Sequence, residues 1–357
     1  SKKVTVEVVP KKITVSGITA ASKVYDGTTT ATLNYNHVLF VGKLSTDSLS
    51  LSGTGTFADK NAGQNKTVQI SLDSANSLGG ADKGKYVLAA EGQQSMTTAD
   101  ITAKEITATI IPNGGTYNGT ITPANGSLNG LIGDDHPEIS WTYSGRANDG
   151  TEVNGSAVPT LAGTYRVTAA ISDMNYVLNP ENASAEFVIN RTSPELSVSA
   201  VPDKDYNDAE FNLEITHKGD GQKTYESSDE QKAVVDANGK VTIKGAGSVT
   251  LTVHLDESAN YTEASAQVTV RINQVENDKL VVEEVRYVKT YGDPSFRIAA
   301  SMNGSTAGIH YESNDPAVAS VDANGTVTIG NTGTASITVS MDESQNYFAV
   351  AKQVTVT

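Results

Sequence analysis

The amino-acid sequence predicts an all-β protein, four tandem antiparallel β-sandwich domains in an elongated array. Three observations carry this expectation: a unit that returns four times, an apolar period of two inside each unit, and turn-forming residues between the apolar runs. A chain of 357 residues is long for one sandwich and suits several cores.

The repeat comes first. Residues 225–261, "YESSDEQKAVVDANGKVTIKGAGSVTLTVHLDESANY", match residues 311–347, "YESNDPAVASVDANGTVTIGNTGTASITVSMDESQNY", at a constant offset of 86 with no gap. A looser version runs through the whole chain. Tyr25-Asp26-Gly27, Tyr117-Asn118-Gly119, Tyr206-Asn207-Asp208 and Tyr291-Gly292-Asp293 open the four units. Tyr86, Tyr176, Tyr261 and Tyr347 mark their far ends, each just before a closing strand. The expected domains are residues 1–105, 106–191, 192–274 and 275–357.

Within a unit, Val327 and Ile329 alternate with threonines, as do Ile337, Val339 and Met341 with Thr338 and Ser340. Val241, Ile243, Leu251, Val253 and Leu255 repeat the pattern, and Val68, Ile70 and Leu72 begin it in the first unit. One face buried and one solvated is the signature of an antiparallel sheet in a two-sheet sandwich, and an Ig-like sandwich fits best.

The turns follow from their residue types. Asp236-Ala237-Asn238-Gly239 and Asp322-Ala323-Asn324-Gly325 are hairpin corners: Asn and Gly tolerate φ > 0, and the Asp carboxylate accepts turn N–H groups. The stretch "KVYDGTT" at residues 23–29 resembles an active-site loop in composition, yet it reads as a turn. At the other openings the tyrosine stays while its neighbours become Asn-Gly, Asn-Asp and Gly-Asp, which are turn formers, whereas a catalytic carboxylate could not become Asn118 or Gly292. The Tyr25 ring is expected at the edge of the core with its hydroxyl at the surface.

The formal charge of −15 disfavours nucleic acid and anionic membranes, and no apolar run approaches the roughly 20 residues of a membrane span. There is no cysteine, hence no disulfide, thiol nucleophile or thiolate metal site, which suits a secreted protein made without oxidative folding. No secretory apolar segment follows Ser1-Lys2-Lys3, so the chain reads as a soluble piece of a larger protein. "SKKVTVEVVPKK" at the N-terminus reads as a strand that completes the first unit or is the tail of another domain.

"KVYDGTTTATL", "FADKNAG" and "KYVLA" resemble the YDG-type module of bacterial surface proteins. "TYNGTITPA" with "LAGTYRVTAAISDMNY" resembles a related bacterial Ig-like module, and "SNDPAVASVDANGTVTIGNTGTASITVSMDES", with its copy in the third unit, resembles bacterial Ig-like group 2 domains. The resemblance implies tandem stalks or spacers of adhesins and wall-anchored enzymes, located outside the cell at the bacterial surface or wall. It implies no catalytic residue and no cofactor.

Five histidines, His37, His136, His217, His254 and His310, are scattered without metal-ligand spacing, and no phosphate loop, zinc helix or nucleophile elbow is present. No enzyme is expected. Two features offer sites. Trp141 and Tyr143 are two apart and share a strand face, where an exposed pair could stack on a sugar or a partner; the structural alternative makes them a framework strand, with Tyr143 matched to Tyr225 and Tyr311. Asp256, Glu257 and Asn260, and likewise Asp342, Glu343 and Asn346, are calcium candidates; the alternative is a solvated turn, since calcium wants about six to eight oxygens and each corner supplies two carboxylates and an amide. The expected function is a non-catalytic spacer that presents a distal domain. An adhesin or glycan-binding module, with a host or environmental glycan or protein as partner, and the ancillary modules of a wall-anchored polysaccharide-degrading enzyme are the alternatives. A monomer is expected.

Overall fold

The computed structural model describes residues 2–120, 122–302 and 308–357. Strand dominates it, with two short 3-10 turns at Lys83–Lys85 and Pro180–Asn182. The chain divides into two compact units, Ser1–Asn190 and Arg191–Thr357. Each holds two Ig-like sandwiches.

In the first unit, one sandwich has a five-stranded sheet ordered Lys23–Val24, Met96–Thr102, Gly63–Ser71, Thr54–Phe57, Thr30–Ala31. It faces the three-stranded set Tyr86–Leu88, Lys11–Ser16, Leu39–Val41. The other sandwich repeats the plan with Gly115–Thr116, Ser184–Asn190, Gly163–Ile171, Ile139–Ala147 and Glu152–Gly155 against Asn125–Asn129, Lys104–Ile111 and Tyr176–Leu178. In the second unit the larger sheets are four-stranded, with Gly247–Leu255 and Ala335–Met341 at their centres.

The long pairs are antiparallel, while the short opening strand of each sandwich runs parallel to its closing strand, as Lys204–Asp205 does beside Ala264–Asn273. That parallel edge fixes where each opening tyrosine emerges.

The apolar alternation is buried on one side. Val241, Leu251, Val253, Val327, Ile337, Val339 and Val68 are fully enclosed, while Ile243, Ile329, Met341 and Leu72 pack partly buried at the margins. The 86-residue repeat is a structural repeat: Tyr225 pairs with Val253 and Tyr311 with Val339. The hairpin corners behave as their residues dictate. Asp236 Oδ1 accepts the N–H groups of Asn238 and Lys240, and Asp322 Oδ1 those of Asn324 and Thr326. Gly239 and Gly325 sit at φ 80° and 76°, and the rings of Tyr225 and Tyr311 lie on them so closely that a Cβ at Gly325 would come within 2.7 Å of Tyr311.

Candidate functional site

The opening stretch builds the first candidate. Lys23–Val24 pairs parallel with the closing strand, and the Tyr25 N–H donates to the Thr102 carbonyl at 2.9 Å, so the ring turns inward. It is 1% exposed, in a cluster with Phe57, Val68 and Ile101 that also takes in Ile106 and Tyr176 from the next sandwich. The surface position expected for its hydroxyl is therefore corrected. The adjoining sandwich covers that end of the core, and the Tyr25 hydroxyl donates to Asp135 Oδ2 at 2.8 Å.

Asp135 gathers two phenols. Tyr176 Oη donates to the same oxygen at 2.6 Å and accepts the Ile132 N–H at 2.9 Å, and its ring meets Tyr25 edge-on at 5.4 Å and 78°. Lys60 Nζ stands 4.0 Å from the other carboxylate oxygen. Hydrogen bonds from Tyr176 and then Tyr25 hold the Asp135 carboxyl below the usual carboxylate range. Burial, followed by the bond to Asp135, pushes each phenol up to about 12. Neutral phenols donating to a satisfied carboxylate clamp two sandwiches together; at neutral pH they offer neither a base nor a nucleophile. Beside this clamp, Asn175 Oδ1 accepts the Ala62 N–H at 2.8 Å, and Asn175 Nδ2 donates to Asn61 Oδ1 at 3.3 Å.

Part of the clamp is intrinsic to the module. Tyr86 Oη donates to Asp47 Oδ2 at 2.7 Å and accepts the Leu44 N–H at 3.0 Å, the same arrangement without a second phenol.

Asp26, by contrast, makes a turn. Its Oδ1 accepts Lys23 Nζ and both the N–H and hydroxyl of Thr28, with the Lys23 bond as the largest cause of a pKa lowered to about 2. Asn118 Oδ1 accepts the same two groups from Thr120 at 2.9 Å, so the turn needs an acceptor and not a charge. Gly27 and Gly119 follow at φ 76° and 74°.

Tyr143 is 3% exposed, its ring edge-on to Phe187 at 6.4 Å and its hydroxyl accepting the Ala124 N–H. Trp141 is half-buried against the same cluster, lying over Gly126. The matching of Tyr143 to Tyr225 and Tyr311 is shifted by one strand repeat. Gly163 and Gly247 open the central strands opposite Ile189 and Ile272, and counting from them Trp141, paired with Ala169, is level with Tyr225, paired with Val253.

Asp256 and Glu257 are exposed; Glu257 Oε2 lies 3.8 Å from Arg191 Nη1, and the Asn260 carbonyl accepts the Thr192 N–H. Asp342 and Glu343 are exposed, with Asp342 Oδ2 3.4 Å from His310 Nε2. Asn346 is committed elsewhere: its Oδ1 accepts the Ala246 N–H at 2.8 Å. Among the described residues no three His, Cys, Asp or Glu side chains gather as a metal-binding group.

Sequence reasoning missed Asp135, Ala62 and Asn175. Of the three only Asn175 carried a visible signal, the asparagine that precedes the closing tyrosine at Asn175-Tyr176, Asn260-Tyr261 and Asn346-Tyr347.

The YDG domain family matches residues 9–98, and the intimin immunoglobulin-like domain matches residues 214–255 and 298–342. An uncharacterized protein of Clostridium acetobutylicum is 28% identical over 134 residues, covering 35% of this chain and 13% of that protein, so the chain corresponds to a small part of this relative's length. Among solved structures, Drosophila N-cadherin EC1-4 is 14% identical with a TM-score of 0.23, covering 95% of this chain and 98% of that one. The S-layer protein rSbsC is 15% identical with a TM-score of 0.23, covering 98% and 54%. Scores this low carry no functional argument. The family matches identify tandem Ig-like modules, and no helix among the described residues is long and apolar enough to cross a membrane.

Proposed function

We propose that this chain is a non-catalytic spacer of a large bacterial surface or secreted protein, a row of sandwiches that holds a distal functional domain away from its anchor. The observation that carries the reading is the Tyr25–Asp135–Tyr176 clamp, which spends buried polar groups on joining one sandwich to the next. A flexible string of beads would need no such joint. The extracellular location rests on the surface-protein modules that the chain resembles and on its lack of cysteine.

Small-angle scattering of the full chain tests this. Four sandwiches in line reach roughly 120 Å, which for a rod is a radius of gyration of roughly 35 Å, whereas a single compact body of this length has a radius of gyration of roughly 20 Å. The smaller value overturns the spacer. The intimin-domain match favours adhesion as a second reading. Saturable binding to glycan or host-protein arrays, lost on Trp141→Ala in a folded chain, would establish it.

A further inference from the structure

The joints inside the two units share two contacts. In the first unit Tyr25 meets Tyr176 edge-on and the Ala62 N–H donates to Asn175. In the second, Tyr206 meets Tyr347 edge-on at 5.5 Å and 78°, and the Ala246 N–H donates to Asn346. Gln345 Nε2 adds a 3.4 Å bond to the Ala246 carbonyl. In each joint an Asn-Tyr pair from the last turn of one sandwich plugs into the end of the sandwich before it. The receiving groups are the opening tyrosine and the Ala-Gly pair that starts the central strand, brought together because both border the closing strand: Gly63 lies opposite Ile101 and Gly247 opposite Ile272.

The last sandwich has equivalent receiving groups, with threonine in place of the alanine. Thr332-Gly333 stands at the 86-residue offset from Ala246-Gly247, and the backbone there is equivalent, since the Lys244 N–H donates to the Lys232 carbonyl and the Gly330 N–H to that of Val318. Lys289 lies over Phe296 at 4.7 Å as Lys204 lies over Phe211 at 5.0 Å, which places Tyr291 where Tyr206 stands. Here these groups line an open cavity of about 230 Å³, formed by Lys289, Tyr291, Val318, Thr332, Gly333 and Thr357 among others. Tyr291 is 69% exposed, against 1% for Tyr25.

We propose that this cavity is the docking site for an asparagine-tyrosine pair presented by a further Ig-like module of the same class. The asparagine amide oxygen accepts the Thr332 N–H, and the tyrosine ring meets Tyr291 edge-on. Head-to-tail stacking of two copies of this chain does not supply the pair. The first sandwich carries Lys85 before Tyr86, and a lysine ammonium has no acceptor to offer; Lys85 is held by Asp82 at 2.7 Å. The proposal rests on the equivalence of the sandwiches and is independent of the spacer reading.

The test extends the full chain after Thr357 with a second copy of residues 272–357, which continues the repeat in register because Thr357 is the counterpart of Arg271. Two rates are compared with the unextended chain: nitration of Tyr291 by tetranitromethane, and hydrogen exchange at the Thr332 amide. Both are expected to fall on the order of tenfold or more, and to recover when the appended counterparts of Asn346 and Tyr347 are replaced by alanine. Unchanged rates beside a folded extension overturn the proposal. If the extension does not fold, the unextended chain is titrated with a disulfide-closed hairpin peptide of residues 342–348 at millimolar concentration. Shifts of the Thr332 and Gly333 resonances that vanish in Tyr291→Ala uphold the proposal, and their absence overturns it. Neither outcome alters the dimension read by scattering.

Discussion

Tyr25→Phe removes one hydroxyl and keeps the ring, so it isolates the bond that joins the first two sandwiches. A hydrogen bond to a charged acceptor contributes about 1.5–3 kcal/mol. Asp135 keeps the Tyr176 hydroxyl at 2.6 Å and Lys60 at 4.0 Å, so it is not orphaned, and the low end, about 1.5 kcal/mol, is expected. Tyr25→Ala also empties the space of a ring that is 1% exposed, adding the roughly 3–5 kcal/mol of a buried aromatic truncation. The assay is native-state hydrogen exchange at the Ile132 amide, which belongs to the second sandwich and donates to Tyr176 Oη. A loss of about 1.5 kcal/mol speeds exchange there roughly tenfold, although the substitution lies in the first sandwich. Tyr176→Phe should do at least as much, since its hydroxyl also accepts that N–H. If Tyr25→Phe leaves Ile132 protection unchanged while Tyr176→Phe removes it, the clamp does not couple the two sandwiches and the reasoning fails.

Asp26→Asn should shift the thermal midpoint little, by less than about 0.5 kcal/mol, because Asn118 supports the same turn and the lost Lys23 pair is half exposed; circular dichroism measures it. Gly325→Ala should cost about 1–2 kcal/mol in urea unfolding, from a φ of 76° and a Tyr311 ring 2.7 Å from the new methyl, and a wild-type midpoint would refute it. The phenols of Tyr25 and Tyr176 hold their protons to about 12 in the folded chain against an ordinary 10. Their contribution is therefore complete below pH 10 and is lost as pH rises from 10 to 12, and in Asp135→Asn the absorbance at 295 nm should show these two phenols titrating earlier but still above 10, since burial, the larger cause, remains. Asp135, whose pKa is lowered, acts in the opposite direction: its contribution is present above the ordinary carboxylate range and is lost as pH falls below it. Asn175→Ala leaves the Ala62 N–H without its acceptor and should cost about 1–2 kcal/mol, read as faster exchange of the Ala62 amide.

The sequence by itself determined whatever depends on neighbours a few positions away. Alternation at Val327–Ile329 and Leu251–Leu255 decides which face is buried because side chains on a strand point alternately to its two sides. Asp322 and Gly325 make a corner because an Asx acceptor and a positive φ are local properties, and the 86-residue repeat carries that corner from one sandwich to the next. Tyr25 was legible as a structural residue, but not its destination. Its hydroxyl partner lies 110 positions away, and Asn175 and Ala62 are 113 apart. No periodicity or spacing encodes such contacts; they exist because the turns carrying Asp135 and Asn175 in the second sandwich meet the end of the first, and only the packed tertiary structure decides which polar groups meet there. The same cause made Tyr25 a buried residue where amphipathic logic placed its hydroxyl at the surface, and turned Asn346 from a candidate metal ligand into the acceptor that joins its sandwich to Ala246.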